Sequence, residues 1–383
     1  MKFIIEGNYD RKLISTIVEK NLPVSHIIIH APHNPIGNGS IFLPEKLPSR
    51  QEFESYTTFI EDKGLTPIFG IDSSCQGNLE AYIDHFEASL QYIEDMIELG
   101  YENALVSSPN ILAFIDKNFP DLNIFLSYAQ FTTSTNRAKI YFHMGADSII
   151  LHPDILRYSY AMKNLVKLQE KFPKIKDTNY ILPLNLGCNW SCIYWFDHHN
   201  LQSHRTIDSP VSSNEGEISD VENGFDFPLL SCWKKRLENP DQLLKAGWIS
   251  PFNIETYERM GYDTFLLFTY GFSTEKAVNV IEAYMNKTFK GNFTDLLNIP
   301  RPYGDYGLEE KISKSLIQLK DDVVKEFCEK FPYDHYYPEE EEMNELCRKY
   351  AKKCVASNEQ EKQNLISVME KNLRKLERGA INE

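Results

Sequence analysis

The feature that most constrains the fold is a regular alternation between short apolar runs and longer amphipathic stretches. Eight runs rich in β-branched and aromatic residues are typical of strands, at residues 3–6, 26–30, 67–71, 104–107, 123–127, 148–151, 181–185 and 264–268. Helical patterns lie between them, at residues 11–20, 50–63, 79–99, 110–118, 133–144 and 153–171. This alternation predicts an α/β fold of parallel strands joined by crossovers, and eight strands suit a (β/α)8 TIM-like barrel. The rival is an open doubly wound sheet, which a Gly-rich fingerprint after the first strand would favour, and the sequence has none there.

The character of the chain changes at about residue 301. The segments "LEEKISKSLIQLKDDVVKEFCEKF", "EEEEMNELCRKYAKKC" and "EKQNLISVMEKNLRKLERG" are helical in pattern, highly charged and without strand signals. We therefore predict a barrel over residues 1–300 and a helical C-terminal extension over residues 301–383, which could contact a protein partner. The polar, acidic stretch at about 206–227 predicts an insertion or surface loop in the barrel.

Charge and hydropathy exclude several classes of function. The net charge is −15, which disfavours nucleic acid as a partner because phosphate neutralisation needs clustered Lys and Arg. The N-terminal apolar run is too short for a signal peptide, and no apolar stretch approaches the ~20 residues of a membrane span. We therefore expect a cytoplasmic protein without membrane contact. Its seven cysteines should be reduced, which favours metal binding or catalysis over disulfides.

Four cysteines lie where a site could form. Cys75 and the pair Cys188 and Cys192 follow predicted strands, at the C-terminal rim where barrel enzymes build their sites, and Cys232 lies further along. Four thiolates could hold a 4Fe–4S cluster or a structural zinc ion, and the C-x3-C spacing favours iron over zinc. A nucleophilic cysteine with His198 or His199 as its base is an alternative. The plain alternative for each cysteine is core filling, which is how we interpret Cys328, Cys347 and Cys354.

Other polar residues near predicted strand ends are candidates for proton transfer or substrate binding. His199 and His204 follow the cysteine pair and are our candidates for proton transfer. His30, Asn185 and Tyr270 end predicted strands and are our candidates for substrate binding. His198, and His152 at the rim, are further possibilities. For each of them the alternative is a capping or packing role.

Several stretches in a fixed order resemble peptidase family U-32, the collagenase-like peptidases. They include "FGIDSSCQGN", "ALVSSPNILAFI", "MGADSIILHPDI", "LPLNLGCNWSC" and "CWKKRLENPDQLLKAGWISPFN". The resemblance implies a TIM-barrel-like domain with a 4Fe–4S cluster held by four cysteines. It also implies oxygen-independent hydroxylation, which members perform in ubiquinone biosynthesis and on RNA bases, some with prephenate as hydroxyl donor. Matched to the family pattern, the four ligands are Cys75, Cys188, Cys192 and Cys232.

This chain departs from the family pattern in its later part. Ser250, Phe252, Asn253, Leu266 and Phe272 stand where charged residues are common in the family, which argues against an anionic substrate such as prephenate. We therefore predict an iron–sulfur enzyme that performs hydroxylation or a related redox modification on a small-molecule or biosynthetic substrate. The alternatives are a peptidase, a non-catalytic cluster-bearing subunit of a complex, and an RNA-modifying enzyme, the last disfavoured by the acidic charge.

Overall fold

The computed structural model describes residues 1–42, 48–171, 179–208, 219–302, 317–334, 341–354 and 359–377. Eight parallel strands form a closed barrel in sequence order. They are β1 (Lys2–Glu6), β2 (Val24–His30), β3 (Thr66–Ile71), β4 (Asn103–Val106), β5 (Asn123–Leu126), β6 (Ser148–Ile150), β7 (Asn179–Pro183) and β8 (Thr264–Leu267). The barrel closes where β1 pairs with β8, with Ile4 opposite Leu266. Each of the eight predicted strands is confirmed, with ends that differ by only a few residues.

The helices connect successive strands and continue beyond the barrel. They are α1 (Arg11–Glu19), α2 (Arg50–Asp62), α3 (Ile83–Glu98), α4 (Pro109–Asn118), α5 (Thr135–His143), α6 (Ser159–Lys171), α7 (Trp195–Thr206), α8 (Ser219–Glu238), α9 (Asp241–Lys245), α10 (Ile254–Arg259), α11 (Thr274–Met285), α12 (Asp321–Lys330), α13 (Glu341–Ala351) and α14 (Glu359–Glu377). Capping residues in the local sequence determine where several of these helices begin. Ser49 and Glu52 form a reciprocal capping box at the start of α2, and the Ser273 hydroxyl accepts from the Lys276 amide at the start of α11.

The period of two along each strand separates two apolar layers. One set of side chains faces the outer helices and forms the largest core, with Phe3, Ile27 and Phe69 among its members. The alternate set fills the inside of the barrel: Ile4, Ile28, Ile68, Leu105, Phe125, Ile150, Ile181 and Leu266. The inside of the barrel is thus a packed core rather than a channel.

Two or four residues beyond this inner layer, the inward-facing positions change from apolar to polar. They carry Glu6, His30, Asp72, Ser107, Ser127, His152 and Asn185, and all of these are buried. Because parallel strands all end at the same rim, these side chains gather at the C-terminal end of the barrel. The fold therefore places a buried polar layer where barrel enzymes carry their sites.

The described C-terminal helices pack on a second core outside the barrel. Trp248 lies at its centre, with its ring centroid 4.6 Å from that of Phe293 and 6.1 Å from that of Phe327. The Arg157 guanidinium carbon lies 4.2 Å from the centre of the Trp248 ring. Leu230 and Leu237 of α8 and Met369 of α14 belong to the same core. The expected helical extension is present, and it shares its core with α8 and α9.

The structure bears in part on two further predictions, the acidic insertion and the absence of a membrane span. Of the predicted insertion at about 206–227, residues 209–218 lie outside the described residues, and the part from Ser219 onward is helical and belongs to α8 rather than to a loop. Within the described helices, none is long and apolar enough to cross a bilayer.

Candidate functional site at the C-terminal end of the barrel

Three of the four predicted ligand cysteines border one small cavity. Cys188 and Cys192 lie in the loop between β7 and α7, and Cys232 lies on α8. All three line a cavity of about 20 Å³, together with Trp195, His198, His199 and Arg236 among others. A volume of this size holds about one water molecule.

The three thiols differ in how readily they lose a proton. Burial raises the pKa of Cys188 to about 12. The Cys192 thiol donates a hydrogen bond to the Cys232 sulfur, which raises the pKa of Cys192 and lowers that of Cys232. The positive charge of Arg236 lowers the pKa of both Cys188 and Cys232. The pair formed by Cys192 and Cys232 therefore loses its first proton easily and holds the second firmly.

Arg236 brings a buried positive charge to this cavity. Its side chain is only 2% exposed, and Nη2 donates to the carbonyl oxygen of Gly187 at 2.7 Å. Its Nε and Nη1 groups have no hydrogen-bond partner in the described structure. A buried guanidinium with unpaired N–H groups is costly unless negative charge lies beside it. The cavity is therefore suited to thiolates or to another anion.

Two neutral histidines complete this side of the site. Burial lowers the pKa of His198 to about 3 and that of His199 to about 4. The His199 Nδ1–H donates to the carbonyl oxygen of Gly39 at 2.6 Å, and the Nε2 atoms of both rings have no partner among the described residues. These rings can therefore accept a hydrogen bond or a proton at Nε2, and His199 keeps its place as a candidate.

The fourth cysteine lies elsewhere. The Cys75 sulfur is 3.3 Å from Nε2 of His204 and 3.5 Å from the backbone nitrogen of Gly77. His204 lies nine residues after Trp195 on α7, about two and a half turns at 3.6 residues per turn. His204 and its partner Cys75 are thus on the side of α7 opposite the cavity that Trp195 lines. The structure brings together Cys188, Cys192 and Cys232 and pairs Cys75 with His204.

The three thiols are not arranged as a complete set of metal ligands. Across the described ranges, no group of three or more histidine, cysteine, aspartate or glutamate side chains could hold a metal ion in its present arrangement. The side chains around the 20 Å³ cavity would have to separate to admit a cluster.

On the other side of the barrel mouth, two carboxylates flank a histidine. The Nε2 atom of His30 lies 2.9 Å from Oε1 of Glu6, and both side chains are almost fully buried. Asp72 accepts hydrogen bonds from the Ser127 hydroxyl at 3.0 Å and from the Gly39 amide at 3.3 Å. Burial lowers the pKa of His30, but the hydrogen bond and charge of Glu6, and then the charge of Asp72, outweigh it and raise the pKa. Burial raises the pKa of Asp72.

Tyr128 lies between the two sides. It is 2% exposed, and the Ile41 amide approaches its hydroxyl without normal hydrogen-bond geometry. Burial raises its pKa, and so do the nearby groups Glu6, Asp72 and Cys188, in that order. Its ring meets those of Trp195 and His199 edge-on.

Of the predicted substrate-binding residues, Asn185 has a structural role. Its Nδ2 donates to the carbonyl oxygens of Phe268 and Leu296, at 3.1 and 2.9 Å, and its Oδ1 accepts from the Phe268 amide at 2.8 Å. These bonds hold the end of β7 against β8 and use both Nδ2 donors, and a role of Asn185 in substrate binding stays a prediction.

Tyr270 lines a large cleft. The cleft has a volume of about 1190 Å³ and lies along α11 and residues 288–302, with Lys276, Asp295 and Arg301 on its wall. Ile41 and Pro300 border both this cleft and the thiol cavity. The Tyr270 ring centroid lies 5.1 Å from that of His30. One aromatic side chain thus separates the cleft from the carboxylate side of the mouth.

Sequence reasoning missed Glu6, Asp72, Tyr128 and Arg236. Glu6 ends the apolar run "FIIE" in phase with Ile4, and Asp72 stands four residues after Ile68, so the period of two was an available signal for both. Arg236 and Tyr128 had no such signal, because only tertiary packing makes them neighbours of the cysteines.

Comparisons with known proteins bear on the fold alone. No family model matches the chain, and no curated protein matches it. Among solved structures, the U32 peptidase Mk0906 is 18% identical with a TM-score of 0.44, over 57% of this chain and 83% of its own. The structure of AsfvAP:AG gives 12% identity and a TM-score of 0.38, over 71% and 88%. A GH27 β-L-arabinopyranosidase from Geobacillus stearothermophilus gives 9% and 0.35, over 76% of each chain. These are distant likenesses.

Proposed function

We propose that this chain is an iron–sulfur enzyme that performs a redox modification of a small-molecule or biosynthetic substrate. Oxygen-independent hydroxylation is the specific reaction that the resemblance to the U-32 family implies. The observation that carries the proposal is the meeting of Cys188, Cys192 and Cys232 with the unpaired N–H groups of Arg236 at one cavity. Soft thiolate donors select iron–sulfur clusters or zinc, and an adjacent cation stabilises the thiolate form.

In this proposal each residue has a distinct role. Cys188, Cys192 and Cys232 would hold the cluster, and Arg236 would balance its negative charge. The bound cluster would transfer electrons or bind an oxygen-bearing group. Trp195 and Tyr128 shield the cavity from water, and the free Nε2 of His199 can accept a proton beside it. The large cleft next to Ile41 and Pro300 has room for a substrate.

Metal and sulfide analysis of an anaerobic preparation tests the proposal. We expect roughly four iron and four sulfide per chain, with absorbance near ~400 nm. One equivalent of zinc and no sulfide would redirect the interpretation to a structural site. A preparation that binds neither metal, even after reconstitution with iron and sulfide, would refute the proposal.

A thiol-dependent hydrolase is the second candidate, and one contact favours it. The 3.3 Å approach of Cys75 to His204 is within reach of a nucleophile and its base. Hydrolysis of casein by metal-free protein that is lost in both Cys75→Ala and His204→Gln would support this candidate. Hydrolysis that both variants retain would count against it.

A further inference from the structure

Away from the cavity of Cys188, Cys192 and Cys232, the barrel mouth carries a buried cluster of three ionisable groups. They are Glu6, His30 and Asp72. They come from β1, β2 and the end of β3, which are neighbours in the barrel. Glu6 is 2% exposed, His30 1% and Asp72 0%. The role proposed for the cysteine cavity does not use this cluster.

The groups that face the cluster add no positive charge. The Tyr270 amide donates to Oε2 of Glu6 at 3.3 Å, and the Glu6 amide donates to the Thr269 hydroxyl at 3.1 Å. From the other elements, the contacts are the Ser127 hydroxyl, the Gly39 amide and the Tyr9 hydroxyl, which donates to the His30 carbonyl oxygen at 2.6 Å. No described contact comes from a lysine or an arginine. Two buried carboxylates beside one imidazole would leave a net negative charge in a dry site, so the cluster is expected to retain a proton.

One polar atom of the cluster lacks a partner, and a hydroxyl beside it is weakly bonded. The Nδ1 atom of His30 is buried and makes no hydrogen bond within the described parts of the chain, and the buried Tyr128 hydroxyl is approached by the Ile41 amide without normal hydrogen-bond geometry. Tyr128 lies close enough to Glu6 and Asp72 for both charges to raise its pKa. Buried groups of this kind normally have a partner, so their presence together indicates that a polar ligand or water belongs there.

The ring of His30 is held in one place. A Cβ atom added at Gly70 would lie 3.1 Å from Nδ1 of His30, tighter than an ordinary contact. On its other side the ring meets the Tyr270 ring edge-on, and Tyr270 lines the large cleft. The cluster therefore lies one side chain away from the space where a substrate fits.

We propose that Glu6, His30 and Asp72 form an acid–base site that binds a neutral carbonyl oxygen of the substrate and donates a proton to it from His30. In this step an N–H bond of the His30 imidazolium breaks and an O–H bond forms on the ligand. His30 becomes neutral, both carboxylates keep their state, and solvent later returns the proton. The electrons that make the ligand oxygen basic come from the proposed redox centre, so this part of the inference rests on the proposed function. The expectation that Glu6, His30 and Asp72 retain a proton does not rest on the proposed function.

The proton can be observed directly in metal-free, full-length protein labelled with 15N-histidine. We expect NMR titration to show that His30 keeps its imidazolium form to a higher pH than the exposed reference residues His33 and His143. In Glu6→Gln, which keeps a hydrogen-bonding group but removes the charge, the His30 titration should move down by about 1–3 pH units. Asp72→Asn should move it in the same direction by less.

Glu275→Gln is the matched control, because Glu275 is an exposed carboxylate on the cleft wall, and it should leave His30 unchanged. Circular dichroism checks that each variant is folded. If Glu6→Gln does not fold, the His30 titration in Asp72→Asn and in the wild type decides whether the acid–base site exists. A His30 that titrates together with His33, or below it, overturns the inference. So does a folded Glu6→Gln variant in which His30 titrates as in the wild type.

A second measurement tests whether the proton held by Glu6, His30 and Asp72 is coupled to reduction of the metal centre. In protein with bound metal, potentiometric titration should show a proton taken up on reduction above the pH at which His30 titrates in the oxidised protein, and Glu6→Gln should move the onset of this uptake down by about 1–3 pH units. Uptake that Glu6→Gln leaves unchanged overturns the proton-donating role. If metal analysis finds no centre, the proposed function fails, while the NMR titration still decides whether the acid–base site exists.

Discussion

The two sides of the barrel mouth hold histidines in opposite states within one polar layer. On the thiol side, His198 and His199 face Arg236 and thiols, and burial lowers their pKa values to about 3 and 4. On the carboxylate side, His30 is equally buried, yet Glu6 and Asp72 raise its pKa. Burial is common to both sides, so the difference comes from the neighbouring charge.

This difference indicates which kind of ligand suits each side of the barrel mouth. A buried cation with unpaired N–H groups and neutral imidazoles suits an anionic occupant such as a thiolate-bound metal centre. Two carboxylates around an imidazole suit a proton and a neutral or positively charged partner. The two sides meet at Tyr128, which responds to the charges of both. The predictions below test this division, in order of expected effect.

Removing a thiol from the cavity should have the largest effect. Cys232→Ala should lower the iron bound per chain at least about tenfold, because two remaining thiolates hold a cluster poorly. The matched control is Cys328→Ala, which removes a buried thiol from the second core. Iron content after anaerobic reconstitution is the measurement. Equal iron in the two variants would show that the cavity thiols are not ligands.

Removing the buried cation should have the next largest effect. Arg236→Met keeps most of the side-chain volume and removes the charge, so we expect metal affinity to fall about 10–100-fold. The thiols should also titrate at higher pH, as followed by thiolate absorbance in the metal-free protein. Lys234→Met, at a half-buried position two residues away on α8 and paired with Glu370, is the control. An unchanged affinity in Arg236→Met would mean that the thiol side needs no positive charge.

Acidification should destabilise the thiol side. The unfolded chain binds protons at His198 and His199 below about pH 6.5, whereas the folded chain stays neutral there until about pH 3–4. Stability that is present above pH 6.5 is therefore lost as the pH falls, by roughly 2 kcal/mol per histidine at pH 5. Urea unfolding at about pH 7.5 and about pH 5 measures this loss.

The carboxylate side should respond with the opposite sign. The contribution of His30 is present below its unfolded pKa and is lost as the pH rises through its folded value. In Glu6→Gln only the charge of Asp72 still opposes the effect of burial on His30, so that contribution shrinks and the loss of stability in acid should become steeper than in the wild type. A shallower loss in the variant would contradict the division between the two sides.

A change at the boundary should have little effect on stability. Tyr128→Phe removes a buried hydroxyl that makes no hydrogen bond of normal geometry to the described residues, so in protein without a bound ligand the free energy of unfolding should change by less than about 1 kcal/mol. Tyr101→Phe is the comparison, because the Tyr101 hydroxyl bonds with that of Thr57 at 2.5 Å and its loss should destabilise the protein more. Chemical denaturation of both variants is the measurement, and a larger loss in Tyr128→Phe would indicate that a bound water or ligand satisfies its hydroxyl.

The smallest effect is expected outside the mouth. Cys75→Ala should keep nearly all of its bound iron, because Cys75 pairs with His204 across α7 from the cavity. Loss of iron equal to that in Cys232→Ala would show that Cys75 is the fourth ligand, as the resemblance to the U-32 family implies.

The sequence by itself determined the barrel. Eight β-branched runs separated by amphipathic stretches leave few other ways to bury both faces of the strands, and each run became a strand. It also indicated the rim position of the loop cysteines, because a residue directly after a parallel strand lies at the C-terminal end of the barrel.

Only the tertiary structure decided which residues meet. Strand positions show that Glu6 and His30 face inward, but only the folded barrel shows that the Glu6 carboxylate reaches His30, two residues beyond its register partner Ile28. The end of a strand made Asn185 a candidate, and only the structure shows its hydrogen bonds to Phe268 and Leu296. The reason is physical: hydrogen bonds and charge interactions act over a few ångströms, and closure of the barrel brings together groups that lie far apart along the chain.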